Sequence, residues 1–273
     1  MKKIMFFAAA IALLVACSNV KCNAKGDGNG ALERDSVKDS TAFHEGGHDI
    51  SVYVSIVFPK GNEALECGVT KFIGEFTGVD STGTMTDVKT IARHYVENGA
   101  KQLKGMVFYK GDDRNAPSLS LNLSMGVMYE NDRFLTMSAQ QETYLGGAHG
   151  SLNTVGMTFS KADGKVIGKE ILAQDKLNDI RKELTKRLNE MFLRLSDGDT
   201  EKAFSLKEDE SGKPYVVELP SSGIFISGDD VVFRYQQYEI APYVFGTPEA
   251  KISLQELKNN GWLEAEFAKS LEK

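Results

Sequence analysis

Residues Ser118–Tyr129 read SLSLNLSMGVMY, in which Leu119, Leu121, Leu123, Met125, Val127 and Tyr129 alternate with Ser118, Ser120, Asn122, Ser124, Gly126 and Met128. A period of two sends successive side chains to opposite faces, so the stretch reads as an antiparallel strand with one face on a core. Asn131-Asp132 supplies a turn, after which Leu135, Met137 and Ala139 share one side of a second strand. A third strand around 152–159 aligns Val155, Met157 and Phe159 and ends at the Ala162-Asp163-Gly164 turn. Three strands joined by short turns predict a β-meander.

Upstream, Ile50, Tyr53 and Val57 mark a strand over 49–58, closed by Pro59-Lys60-Gly61-Asn62. Helices are expected around 62–76 and 84–104; Val88, Ile91, Ala92, Tyr95 and Leu103 fall on one stripe of the second, and His94 falls off it. Downstream, Ile180, Leu184, Leu188 and Met191 recur at helical spacing in a long amphipathic helix over 169–194, whose apolar face is expected to cover the meander. Short strands near 215–219, 223–227, 230–236 and 250–254 and a helix near 261–271 complete the chain. Strands and helices come in runs, which defines the α+β class. The expected architecture is an antiparallel β-meander packed on a long amphipathic helix, in two small lobes spanning 43–165 and 166–273.

The chain has 273 residues, of which 41% are hydrophobic, enough for a substantial core. Its first sixteen residues look like a signal peptide: Lys2 and Lys3 precede an apolar run from Ile4 to Val15 that is too short to span a bilayer. Leu14-Val15-Ala16-Cys17 resembles a lipobox, which would make Cys17 a lipidated mature N-terminus and anchor the protein to a membrane surface outside the cytoplasm. Ser18 follows it where an aspartate would signal retention, so the expected location is the outer membrane. Residues 17–42, rich in Gly, Asn, Asp, Lys and Ser, read as a flexible tether. Removing residues 1–16 takes away two lysines and no acids, so the formal charge of −6 becomes −8. An acidic body of this kind excludes nucleic acid as a natural partner. Cys22 and Cys67 remain for one disulfide in an oxidising compartment.

Three segments invite a chemical reading. Phe43-His44-Glu45-Gly46-Gly47-His48-Asp49-Ile50 contains the His-Glu-x-x-His spacing of zinc peptidases, which works only on a helix. Gly46 and Gly47 each cost about 1 kcal/mol in a helix interior, and a strand follows directly, so neither a metal site nor a zinc peptidase is expected. Tyr144-Leu145-Gly146-Gly147-Ala148-His149-Gly150 joins two meander strands, and its glycines hold His149 at a defined bend. Val232 to Gly246 reads VFRYQQYEIAPYVFG, an aromatic-rich segment able to form a rigid stacking platform or to plug a core. The sequence contains neither a Gly-x-Ser-x-Gly elbow nor a phosphate-binding loop, and no cofactor is expected. A hydrolase pairing His149 with Glu239 is the catalytic alternative, and a purely structural envelope protein is another.

Taken as a pair, Tyr144–Gly150 and Phe233–Tyr243 with Gly246 resemble the extracytoplasmic domain of RsiV-type anti-sigma factors. The resemblance covers roughly residues 49–258, and its first half is similar to a companion domain found beside peptidoglycan deacetylase modules. It implies an α+β domain that is not a catalyst and binds lysozyme directly, while this chain lacks that family's cytoplasmic sigma-binding region and transmembrane helix. The resulting expectation is a non-enzymatic envelope lipoprotein that binds a lysozyme-like protein or peptidoglycan. The candidate binding residues are Tyr144, His149, Tyr235, Tyr238, Glu239, Pro242 and Tyr243.

Overall fold

The structure, a computed structural model, describes residues 32–80, 84–107, 116–199, 203–206, 212, 214–221 and 223–272. The signal peptide, Cys17, Cys22 and residues 17–31 of the expected tether lie outside the described residues. Among those described, six strands form one sheet in chain order: β1 (Glu33–Glu45), β2 (His48–Lys60), β3 (Leu119–Glu130), β4 (Phe134–Leu145), β5 (Ser151–Ser160) and β6 (Val166–Ile167). β2 and β3 run parallel, because α1 (Glu63–Thr77) and α2 (Val88–Gly105) intervene; every other neighbour is antiparallel, and β3 to β6 are the meander. The mixed α+β class stands.

The expected tether needs correction over its second part. Order begins before Asp49, because residues 33–45 are the edge strand β1, paired along its whole length with β2. Gly46 and Gly47 close the hairpin with φ of 56° and 85°. Two successive positive φ values make a turn whose twist matches that of the strands it joins.

Asn62 caps α1 by accepting from the Leu65 amide, while its own amide donates to the Lys161 carbonyl. Asp87 caps α2, accepting from the amides of Lys89 and Thr90. Both helices cover one face of the sheet, burying Val52, Val54, Leu121, Leu123 and Met137 against Phe72, Ile73, Ile91 and Tyr95. Gly99 lets α2 lie close, since a Cβ there would sit 3.0 Å from Leu121 and 3.1 Å from Val52. Cys67, on α1, is disulfide-bonded.

The long helix is α3 (Leu177–Leu195), preceded by short 3-10 turns over part of 169–176. It does not cover the meander as expected. Ile180, Leu184, Leu188 and Phe192 instead build a second core with Val231, Phe233 and Ile252, from a separate antiparallel sheet of β7 (Ile224–Ser227), β8 (Asp230–Arg234) and β9 (Glu249–Ser253). Residues 215–219, expected as a strand, form no ladder, the helix expected near 261–271 is α5 (Ala265–Ser270), and a further short helix, α4 (Leu254–Asn259), precedes it.

The two cores meet across the back of β4 and β5. The Thr158 hydroxyl accepts from the Ile226 amide at 2.7 Å, and the Thr136 hydroxyl donates to the Ile226 carbonyl at 2.6 Å. The two hydroxyls are 2.8 Å apart, so they replace the missing strand partner on the outer edge of β7. Gly156 leaves room for the Phe225 ring beside them.

At the start of β1, Glu130 receives the Leu32 amide, the Arg34 guanidinium at 3.1 Å and the Lys161 ammonium at 3.0 Å, the last only 3% exposed. Burial pushes the Glu130 carboxyl upward, but hydrogen bonds from Lys161 and Arg34 outweigh it and hold the group below the usual carboxylate range. A depressed folded value stabilises the protein above the unfolded glutamate pKa, and that stability is lost as pH falls through the folded value. Glu130→Gln should therefore unfold at lower urea than the parent at pH 7, with the gap closing as pH falls below the glutamate range. A gap independent of pH would refute this role.

Candidate functional site

The His-Glu-x-x-His stretch is the β1–β2 hairpin, not a helix. His44 is exposed and hydrogen-bonds Asp49 at 3.0 Å, whereas His48 lies on the opposite face, 7% exposed, and donates from Nδ1 to the Pro117 carbonyl at 2.7 Å. Strand alternation points the two imidazoles away from each other, so they cannot share an ion. Among the described residues, no group of three or more His, Cys, Asp or Glu could hold a metal.

The other two segments meet. β6 pairs with β5 only at Thr158 and Phe159, which leaves the upper edge of β5 open. Gln236 fills it as a peptide group would, accepting from the Thr154 amide at 3.1 Å and donating to the Thr154 carbonyl at 2.6 Å. Gln237 accepts from the Leu152 amide at 2.9 Å. These two amides dock the aromatic segment against the β4–β5 loop.

That loop is itself fixed. Gly146 has φ of 78°, and a Cβ on it would lie 2.5 Å from the Pro117 ring. The Tyr144 hydroxyl donates to the Gly147 carbonyl at 3.1 Å. His149 donates from Nδ1 to the Gly150 carbonyl at 2.9 Å, and its Nε2 lies 3.5 Å from the Tyr238 hydroxyl. The imidazole stacks on Tyr243, with ring centres 4.0 Å apart and planes 25° apart. Tyr238 stands 5.8 Å from Tyr243 and is 63% exposed. Its φ of 64° is unusual for a residue with a side chain, and such strain persists only where the surroundings enforce it.

Pro242 starts the single 3-10 turn Tyr243–Phe245. Phe245 anchors that turn against Phe192 and Phe204, with ring centres 5.0 and 5.2 Å away. Val244 is left 81% exposed beside Tyr243. The result is a surface aromatic platform in which His149 and Tyr238 are exposed and Tyr243 is half-buried, with Tyr144 holding the His149 loop and the Pro242 turn carrying Tyr243.

Two of the expected binding residues are committed to the fold, one buried and one at its border. Tyr235 is 1% exposed and donates to the Glu218 carbonyl, and burial drives its phenol far above the ordinary value. Glu239 spends both carboxylate oxygens on backbone amides, of Ser221 and of Gln236, each at 2.7 Å. It shapes the segment and makes no contact with His149 among those the structure describes, so the pair gives no acid–base couple. Sequence reasoning overlooked Gln236 and Gln237, whose role depends on a strand edge left open elsewhere in the fold. A separate cleft of about 380 Å³, lined by Lys60, Glu66, Cys67, Lys71 and Asp87 among others, lies between β1, α1 and the start of α2 and includes none of the motif residues.

Residues 169–255 match a family described as a protein of unknown function, DUF3298. Two crystal structures are similar in fold. A DUF3298 family protein from Pseudomonas aeruginosa PAO1 has 16% identity and a TM-score of 0.60, over 87% of this chain and 97% of that one. A member of the same family from Bacteroides fragilis NCTC 9343 has 19% identity and a TM-score of 0.64, over 89% and 96%. No curated protein matches the chain. At these identities the likeness is one of fold alone.

Proposed function

We propose that this chain is a non-enzymatic envelope lipoprotein, anchored through Cys17, that captures a basic extracytoplasmic protein of lysozyme type on the platform of His149, Tyr238 and Tyr243. One observation carries the reading: three ring side chains from segments 89 residues apart are brought together at the surface and held there. Pre-ordered tyrosines at the surface beside an apolar neighbour are the side chains that dominate protein interfaces, because they bury much area and lose little rotational freedom. The acidic composition suits a basic partner by long-range attraction. The RsiV-type resemblance, carried by the same two segments, points to the same partner.

Calorimetry of the full chain with lysozyme tests the proposal. Tight one-to-one binding is expected, weakened about 30-fold by Tyr243→Ala, the loss of a tyrosine hot spot worth roughly 2 kcal/mol. Tyr238→Ala should act in the same direction, and added salt should slow association more than dissociation. Absence of binding, or binding indifferent to both substitutions in folded protein, refutes it.

A further inference from the structure

The upper half of the six-stranded sheet has a second face. The inner face carries α1 and α2, while β7 packs on the back around Thr136, Gly156 and Thr158 and reaches β3. Above that seam the back of β1 to β4 is not covered by any described element. Its outward positions form ladder rows. One row runs Ser40, Tyr53, Asn122, Glu142, each opposite the next across neighbouring strands. The row on one side runs Lys38, Ser55, Ser124, Gln140, and that on the other Ala42, Ser51, Ser120, Tyr144.

Three properties set this face apart from an ordinary solvated sheet surface. Within these three rows Lys38 and Glu142 are the only charged positions, although 26% of the chain is charged; Arg34, His44 and Asp49 lie further along the same face. The other polar groups are short hydroxyls and carboxamides. Apart from Tyr144, none of the side chains in these rows hydrogen-bonds to another side chain or to the backbone among the described residues, so their donors and acceptors are unspent. Near the centre lies the Tyr53 ring, 39% exposed.

We infer that this face binds an uncharged β-1,4-linked glycan strand lying across the β-strands. A nucleic acid or an anionic membrane would require a cluster of cations, and these rows offer only Lys38. A protein helix or apolar ligand would require an apolar stripe, which is missing. Hydroxyls and amides suit a polymer of hydroxyls and acetamides, and the Tyr53 ring suits the C–H face of a sugar. The repeat also fits: a β-1,4 glycan advances about 5 Å per ring, close to the 4.7–4.9 Å between neighbouring strands. Successive sugars would each meet the next strand of a row. The site is separate from the aromatic platform and does not rest on the capture of a protein there.

The test is binding of the N-acetylglucosamine hexamer to the full chain by calorimetry, with lysozyme capture measured in parallel. Wild-type protein should bind the hexamer. Tyr53→Ala and Ser124→Glu should each weaken this by about tenfold or more, one by removing the stacking ring and the other by placing a charge under the glycan. Both should keep the parent melting temperature and lysozyme affinity, whereas Tyr243→Ala should do the reverse. If Tyr53→Ala fails to fold, Ser124→Glu, at an exposed position, decides. No binding by wild type, or binding unchanged in the folded variants, overturns the inference and leaves the platform reading standing.

Discussion

Gly164→Ala should cost the protein about 3 kcal/mol or more, enough to leave much of it unfolded at moderate temperature. Gly164 sits in the β5–β6 turn with φ of 68°, a conformation that costs a residue with a Cβ about 1–2 kcal/mol by itself. The added methyl would also lie 1.9 Å from the Ala64 carbonyl oxygen and 2.5 Å from its carbon. These are backbone atoms in the first turn of α1 and cannot rotate away. Both sides are pinned, since Asn62 caps that turn and donates to Lys161 just before the glycine. Gly68 repeats the constraint, as its Cβ would be 2.2 Å from the Gly164 carbonyl oxygen. Overpacking typically adds about 1–3 kcal/mol to the conformational cost. Urea denaturation measures the sum, and a variant within 1 kcal/mol of the parent would show that the turn and helix separate more easily than this contact implies.

Gly156→Ala should loosen the seam between the two cores by about 2–3 kcal/mol, within the range for overpacking a filled interior. Its methyl would fall 2.3–2.6 Å from three carbons of the Phe225 ring. The ring is 2% exposed, and the Arg234 guanidinium stacks on it at 4.8 Å while its Nε donates to Glu249 at 2.5 Å. Phe225 is therefore held from the far side and cannot retreat. The second core should melt ahead of the first, turning one calorimetric transition into two. Phe225→Leu in the same chain should restore part of the loss, and a double-mutant cycle isolates that coupling. Strictly additive effects would mean that the ring and the glycine do not confront one another.

What could be read in advance follows from where the free energy comes from. β3, β4, β5 and α3 announce themselves because burial on one face imposes a period on the sequence. β1 does not. Its inward positions include Asp35, Asp39 and Glu45, only half-buried at the sheet edge, and Val37 and Phe43 are too few to mark a strand among polar residues. Ladder bonds to β2 hold it, and those bonds leave no trace in composition. The same reason hid Gln236 and Gln237, whose amides replace a strand partner that only the tertiary arrangement withholds.

The candidate site shows the division more sharply. Reading along the chain singled out the loop of His149 and the segment of Tyr238 and Tyr243, and left open whether the rings of the latter form a platform or plug a core. The structure does both: Tyr235 goes inside, and Tyr238 and Tyr243 stay at the surface against His149. Glu239 looked like a partner for the histidine and is occupied by two backbone amides instead.

By itself the sequence determined the α+β class, the meander, the apolar stripe of α3 and the two segments that meet at the candidate site, because patterning and turn chemistry act between near neighbours. Only the tertiary structure decided that α3 serves a second sheet, that residues 33–45 extend the first, and that the described elements leave the back of that sheet uncovered beside the aromatic platform. These outcomes depend on which of several compatible apolar surfaces meet, and a stripe of leucines specifies that it must be buried without specifying against what.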